Sequence, residues 1–553
     1  MDRDGHGALT ADDPLKAVPL WRAVIGNALL QALLVGLLAL AMRVVLTQWP
    51  TSLPERIYAG PILCVGAATM RYAGVSLVVA LAIGVALKLR GCSWRDEQLR
   101  PLRVIVASIA IVLAWSYGLY PYNHYFGQAH LLDRGLVIAL ALLTIRHPSF
   151  FPPFLWMVIV VIGQFKGTIG YYSWTDISLV VDGAAIMTAG LALRALGLVR
   201  AQAIVLALLV MVAAQYFDAA RLKVTMSPTG FEWVFHNDMA SLFVSSHLNG
   251  WLPDLSTKTV LTLASAISLV AVPLQLLTLV IEGAPIVMLL SRRLTIGVLA
   301  ALIAIHVGIL AASGILFWKW AALCAALAWT LRRFGKGWLE PRWLALAVLP
   351  IIFYAGKIPS FGNGLAWWDT RLSQYHELVA VTDTGERFRL DEHDLAPYDK
   401  TIAQDRFTFL HKEKRLTRTL AAVDRPAYPL FRALQDAQTD DAVAAMIEQQ
   451  GTRQWDRTKA QRFDDFIRIF LRSRNEHGEE LLVRFFALVS PPMHIGHRAP
   501  TATRLPPDAK VARVEVMFRE VFFDGERLHE LSERKVRTID IDIDKEATVG
   551  VKR

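Results

Sequence analysis

Eleven apolar runs, at about 23–46, 60–88, 103–120, 131–145, 150–165, 176–194, 201–219, 259–281, 294–316, 318–331 and 342–357, fill most of residues 1–357. Short charged loops join them. Inside a bilayer no water satisfies backbone N–H and C=O groups, so runs of this kind are stable there only as helices packed together. Several are shorter than the roughly 20 residues a straight span needs, and about nine to eleven crossings are therefore expected. From Ile358 onward Asp, Glu, Lys and Arg recur every few residues. The sequence predicts a polytopic α-helical membrane bundle over 1–357 and a soluble α+β domain over 358–553.

The formal charge of +10 is explained by where the basic residues fall. Lys88, Arg90, Arg95, Arg100 and Arg103 form one cluster, Arg194 and Arg200 a second, Arg292 and Arg293 a third, and Arg332, Arg333, Lys336 and Arg342 a fourth. With eleven spans all four clusters share one side, which the positive-inside rule makes cytoplasmic. The segment Pro121 to His130, the long loop Asp218 to Lys258 and the C-terminal domain then lie outside the cytoplasm. The charge thus calls for a lipid bilayer as partner and for no nucleic acid. The first run, Ala23 to Leu46, is too long for a signal h-region and has no small-residue cleavage site after it, so it reads as a retained span.

In the C-terminal part, His376 to Leu390 alternates about Asp383-Thr384-Gly385, the composition of a hairpin turn. Tyr428 to Gln449 and Thr458 to Arg472 have helical apolar spacing, and Glu480 to Val489 and Ala512 to Phe523 read as strands. Cys64, Cys92 and Cys324 lie in or beside apolar runs without a CxxC pair, which gives neither a disulfide framework nor a zinc signature. His494 and His497 have no carboxylate or thiol at ligand spacing, so no metal site is expected. Nucleotide-binding, serine-hydrolase and zinc-protease fingerprints are absent from the sequence.

A titratable side chain at membrane depth costs a few kcal/mol, so each needs a partner, a wet cavity or a task. Four places stand out. Asn123 and His124 precede a span, with His130 and Asp133 close behind, and a solvated loop histidine is the plain alternative. Tyr216 to Lys223 ends the seventh run in Asp218, Arg221 and Lys223, for which snorkelling is the plain alternative. Glu282 is the one acid in a long apolar block, and Arg292 or Arg293 is its natural structural partner. His306 lies mid-run, where an interhelical hydrogen bond would account for it.

Taken in order, these sites resemble the vitamin K-dependent γ-glutamyl carboxylase family, whose membrane part is the HTTM domain shared with many bacterial proteins. The resemblance covers about Asn123 to Leu331. Asn123-His124 looks like the family's Asn-His pair. The block Ala213 to Lys223 is similar to its aromatic, small-residue and basic segment, although Leu222 here separates two basic positions that are adjacent in the carboxylases. Phe243 to His247 resembles the stretch that follows. Glu282, Pro285, Arg292-Arg293, His306 and Gly314 to Phe317 then reproduce family order.

The resemblance implies a bacterial inner-membrane enzyme that uses a reduced vitamin K-type quinone (menaquinone or similar), with O2 and CO2 as co-substrates. In such enzymes a lysine deprotonates the hydroquinone, whose oxygenation yields a base strong enough to take a proton from glutamate. CO2 then captures the carbanion. Lys223 is the implied base, and His124 and His306 are implied to position or polarise oxygens. Asn123, Tyr216, Arg221, His247 and Glu282 are implied to line the quinone site. The substrate would be a glutamate or related group on a peptide or protein outside the cytoplasm. Two other classes fit the bare residues: a non-catalytic membrane scaffold or maturation factor, and a transporter. Against transport, the sequence has no inverted repeat.

Overall fold

The apolar runs fold as helices because nothing inside them, apart from isolated prolines and glycines, interrupts the backbone ladder. In a computed structural model of the protein, the described residues are 27–48, 62–119, 131–163, 178–334, 343–355, 366–390, 395, 407–410, 412–416, 426–477, 481–492, 495–496 and 504–541. Every apolar run contains a helix: α1 (Ala28–Gln48), α2 (Ile62–Leu89), α3 (Leu102–Gly118), α4 (Leu131–Arg146), α5 (Phe151–Gly163), α6 (Ser178–Ala195), α7 (Ala201–Thr225), α10 (Thr257–Gly283), α11 (Arg292–Ser313), α12 (Trp318–Arg333) and α13 (Trp343–Ala355). The short α8 (Glu232–His236) and α9 (Met239–Leu248) lie between α7 and α10. Among the described residues three segments are long and apolar enough to cross a membrane: Ala201–Thr225, Thr257–Leu290 and Arg292–Ser313.

The helix ends follow local chemistry. The Ser256 and Ser291 hydroxyls accept from the backbone N–H groups of Thr259 and Leu294, so α10 and α11 begin at capped positions. Helix α11 stops at Gly314, which is left-handed at φ 74°. A Cβ there would meet the Trp251 carbonyl, so the position needs glycine on two grounds. Ala201–Thr225 is enclosed by its neighbours, whereas α10 leaves Leu269, Leu276, Leu277 and Val280 exposed along its length.

The C-terminal part contains a four-stranded antiparallel sheet in the order β2-β1-β3-β4, made of β1 (Leu372–Thr382), β2 (Arg387–Arg389), β3 (Val511–Phe523) and β4 (Leu528–Asp540). Gly385, at φ 86°, makes the β1–β2 turn over the expected Asp-Thr-Gly. Leu378, Ala380, Val514 and Val516 point to one face, where they pack on Phe463, Phe466 and Phe470 of α16 (Arg457–His477). Glu377 and Glu515 occupy the other face within reach of Arg389, Arg519 and Arg387. Two further helices, α14 (Tyr428–Asp436) and α15 (Asp440–Gln450), match the helical spacing.

One element departs from expectation. Leu481–Val489, read from sequence as a strand, is a helix, α17. The run LLVRFFALV has no period-2 alternation, and a short continuous apolar run does not by itself distinguish strand from helix. Leu, Ala and Arg favour the helix. His494 and His497 lie outside the described residues.

The C-terminal part sits on the end of α7 and the segment after it. Trp368 and Phe431 join Met226, Trp233 and Val234 in one apolar cluster, with Leu222 and Leu279 beside it. At the tip of the sheet, Phe523 packs with Phe243, Val244, Val260 and Ala264. The Trp233 indole donates to the Trp367 carbonyl at 2.6 Å.

Candidate functional site

Tyr216 and Lys223 are seven residues apart on α7, two turns, and so share one face. Side chains lean toward the start of their helix, which aims the Lys223 amine back along α7. Both residues are buried, Lys223 with 3% of its side chain exposed. Its ammonium donates to Glu282 of α10 and lies 4.3 Å from the centre of the Trp233 ring. Two turns earlier on α7, the Tyr216 hydroxyl and His306 Nε2 of α11 are 2.5 Å apart.

Aromatic rings wall this polar pair. Phe317 stacks on the His306 imidazole with centroids 5.2 Å apart, and Trp320 stands edge-on to both Tyr216 and His306. The Cys324 thiol, one turn beyond Trp320 on α12, approaches the Tyr216 hydroxyl. His306 Nδ1 is buried with no hydrogen-bond partner among the described residues. With Nε2 engaged by Tyr216, Nδ1 is left as a donor or an acceptor for whatever enters. A buried polar atom without a partner costs about 1–3 kcal/mol, and such atoms in native proteins call for a reason.

Several expected roles change in this geometry. Lys223 does not snorkel outward; it points into the interior. Glu282 pairs with Lys223 rather than with Arg292 or Arg293, and the Arg292 guanidinium instead donates to the Phe334 carbonyl at 2.7 Å. Arg221 turns aside on α7 to pair with Asp218 at 2.5 Å. His306 does have the interhelical hydrogen bond of the plain alternative, but with one nitrogen only. Among the described residues, His247 on α9 makes no hydrogen bond or ion pair with this cluster. Burial holds its imidazole below the ordinary value, with Asp254 opposing and Arg389 of the sheet reinforcing. Asn123 and His124 lie outside the described residues.

Sequence reasoning missed Trp233, Trp320 and Cys324, since an aromatic or a thiol in an apolar run carries no signal of its own. It also missed a second buried polar cluster on the neighbouring side of α7. There Arg43 of α1 pairs with Asp182 of α6 at 2.7 Å, and the Gln215 amide donates to the same carboxylate at 3.1 Å.

Just before the sheet, Asp369 accepts from the Trp367 indole at 2.6 Å and is almost wholly buried. Burial pushes its carboxyl up to about 7, against the opposing effect of that hydrogen bond. A raised folded pKa contributes stability that is complete below the unfolded value near 3.9 and lost as pH rises through the folded one. Thermal midpoints of the parent protein are therefore expected to fall as pH rises from about 4 to about 7 and to level off above, and Asp369→Asn to flatten that fall. Equal slopes for the two proteins would exclude Asp369 as the source.

No family model, curated protein sequence or solved structure matches the chain.

Proposed function

We propose that this chain is a polytopic membrane protein with an HTTM-like domain over 1–357, and that it acts as a vitamin K-dependent carboxylase-like enzyme. Three helices of spanning length and the outward leucines of α10 support the membrane assignment. Under the positive-inside rule the Lys223 end of α7 and the C-terminal domain face away from the cytoplasm.

The observation that carries the enzymatic reading is the cluster itself: a buried amine and carboxylate, and beside them a histidine with one nitrogen unspent in an aromatic enclosure. A reduced quinone of the menaquinone type fits such residues. Its flat ring would stack on aromatic side chains such as Phe317 and Trp320, and its phenolic oxygen would suit His306 Nδ1. When bound, that group supplies, with O2, the base strength needed to remove a proton from a glutamate side chain, which CO2 then traps.

The protein's part is proton handling and orientation. Lys223 and Glu282 are the paired base and acid of the site: Lys223 is the residue that would take a phenolic proton, its own having passed to Glu282. His306 Nδ1 fixes the position of an oxygen, Tyr216 fixes the imidazole, and the rings exclude water. A peptide or protein substrate held by the C-terminal domain would approach from the Trp233 side.

Purified protein loaded with menaquinone and re-isolated is expected to retain stoichiometric quinone in its organic extract, measured by mass spectrometry. Extracts holding no more than those of an unrelated membrane protein would remove the basis for this function.

A further inference from the structure

Helix α17 (Leu481–Val489) turns its apolar side chains outward. Leu481, Leu482, Phe485 and Leu488, spaced i, i+1, i+4 and i+7, form one stripe, with Leu481 82% and Leu488 85% exposed. On its inner side Phe486 is buried beneath the Arg134 guanidinium, 3.7 Å from the ring centre. A soluble domain gains nothing by presenting four large apolar residues to water on one short helix.

The bonds around α17 fix its level. The Trp115 indole, near the end of α3, donates to the Val489 carbonyl at 2.8 Å. Trp318, at the start of α12, donates to the Pro492 carbonyl at 3.2 Å, and Ile495 N–H donates to the Gly314 carbonyl at the end of α11 at 3.0 Å. Arg134 belongs to the first turn of α4. Helix α17 thus lies where four apolar helices terminate, flanked by two tryptophans of the kind that mark a membrane–water boundary. Leu131 and Leu132, in the same first turn of α4 as Arg134, are exposed as well.

We infer that α17 is an interfacial helix whose Leu481, Leu482, Phe485 and Leu488 are embedded in the acyl chains of the outer leaflet, fastening the C-terminal domain to the bilayer. This inference rests on the membrane reading above. It gives the C-terminal domain a second hold besides its contact with Trp233, and it sets the domain's height over the Lys223 cluster.

The test places a bimane label on Leu481→Cys or Leu488→Cys of the full chain in vesicles of phosphatidylcholine and phosphatidylglycerol. Leu277→Cys on α10 serves as the span control and Ile469→Cys on α16 as the aqueous control. Unsubstituted protein labelled in parallel gives the blank for the native cysteines. Labels at 481 and 488 are expected to lose at least about half their emission to shallow spin-labelled lipid and to resist iodide. If they behave like the label at 469 while the one at 277 is quenched by lipid, the interfacial helix is wrong and the bundle stands. If the label at 277 also escapes lipid, the membrane reading falls and this inference with it.

Discussion

Lys223→Met is expected to abolish quinone oxidation and also to lower stability by about 3–5 kcal/mol, because Glu282 would be left buried without its cation. The two effects separate in a second variant. Replacing both partners, Lys223→Met with Glu282→Met, removes the uncompensated charge and should bring stability to within about 1–2 kcal/mol of the parent, since a buried ion pair is often exchanged for apolar residues at little net cost. Activity should stay absent. Thermal unfolding and turnover of the two variants measure both arms. Full activity in a folded double variant would show that Lys223 is a packing residue, as a scaffold role for the protein would have it.

His306→Phe carries the second large effect. Phenylalanine keeps the stack on Phe317 but removes both nitrogens, so the Tyr216 hydroxyl is left with only the weakly bonding Cys324 thiol, at a cost of up to about 1–3 kcal/mol. Adding Tyr216→Phe should recover most of that loss. Neither variant should recover turnover, because no group then replaces Nδ1; the loss of one such positioned donor typically lowers a rate by about 10²–10³. Turnover that returns with Tyr216→Phe would mean that the imidazole serves the fold alone.

The helical part of the fold was readable because each run is predominantly apolar over about 14 residues or more, longer than a typical strand, and helices occur in every one. The β1–β2 turn was readable from Asp383-Thr384-Gly385, where only glycine takes the left-handed position without strain. Strand β4 was not, since LHELSERKVRTID offers few apolar residues at any period; it is an edge strand held by pairing to β3. Helix α17 was misread for the reason that makes it informative: its apolar residues face outward, so no alternation between core and water shaped the sequence. At the site, the residue types that mattered were visible as costly polar groups in apolar runs, but their partners were not. Lys223 and Glu282 are 59 residues apart, and nothing in either segment names the other. Arg292, nearer in sequence to Glu282, is drawn away by the Phe334 carbonyl at the opposite end of α11 from His306.

The central claim is that the Lys223–Glu282 and Tyr216–His306 pairs work on a reduced quinone, and its most direct test is product formation. Purified protein in lipid, given menaquinol or reduced vitamin K with bicarbonate and oxygen, is expected to yield quinone epoxide detectable by mass spectrometry, and the Lys223→Met protein to yield none. Epoxide absent from both, with quinone shown to be bound, would contradict the claim.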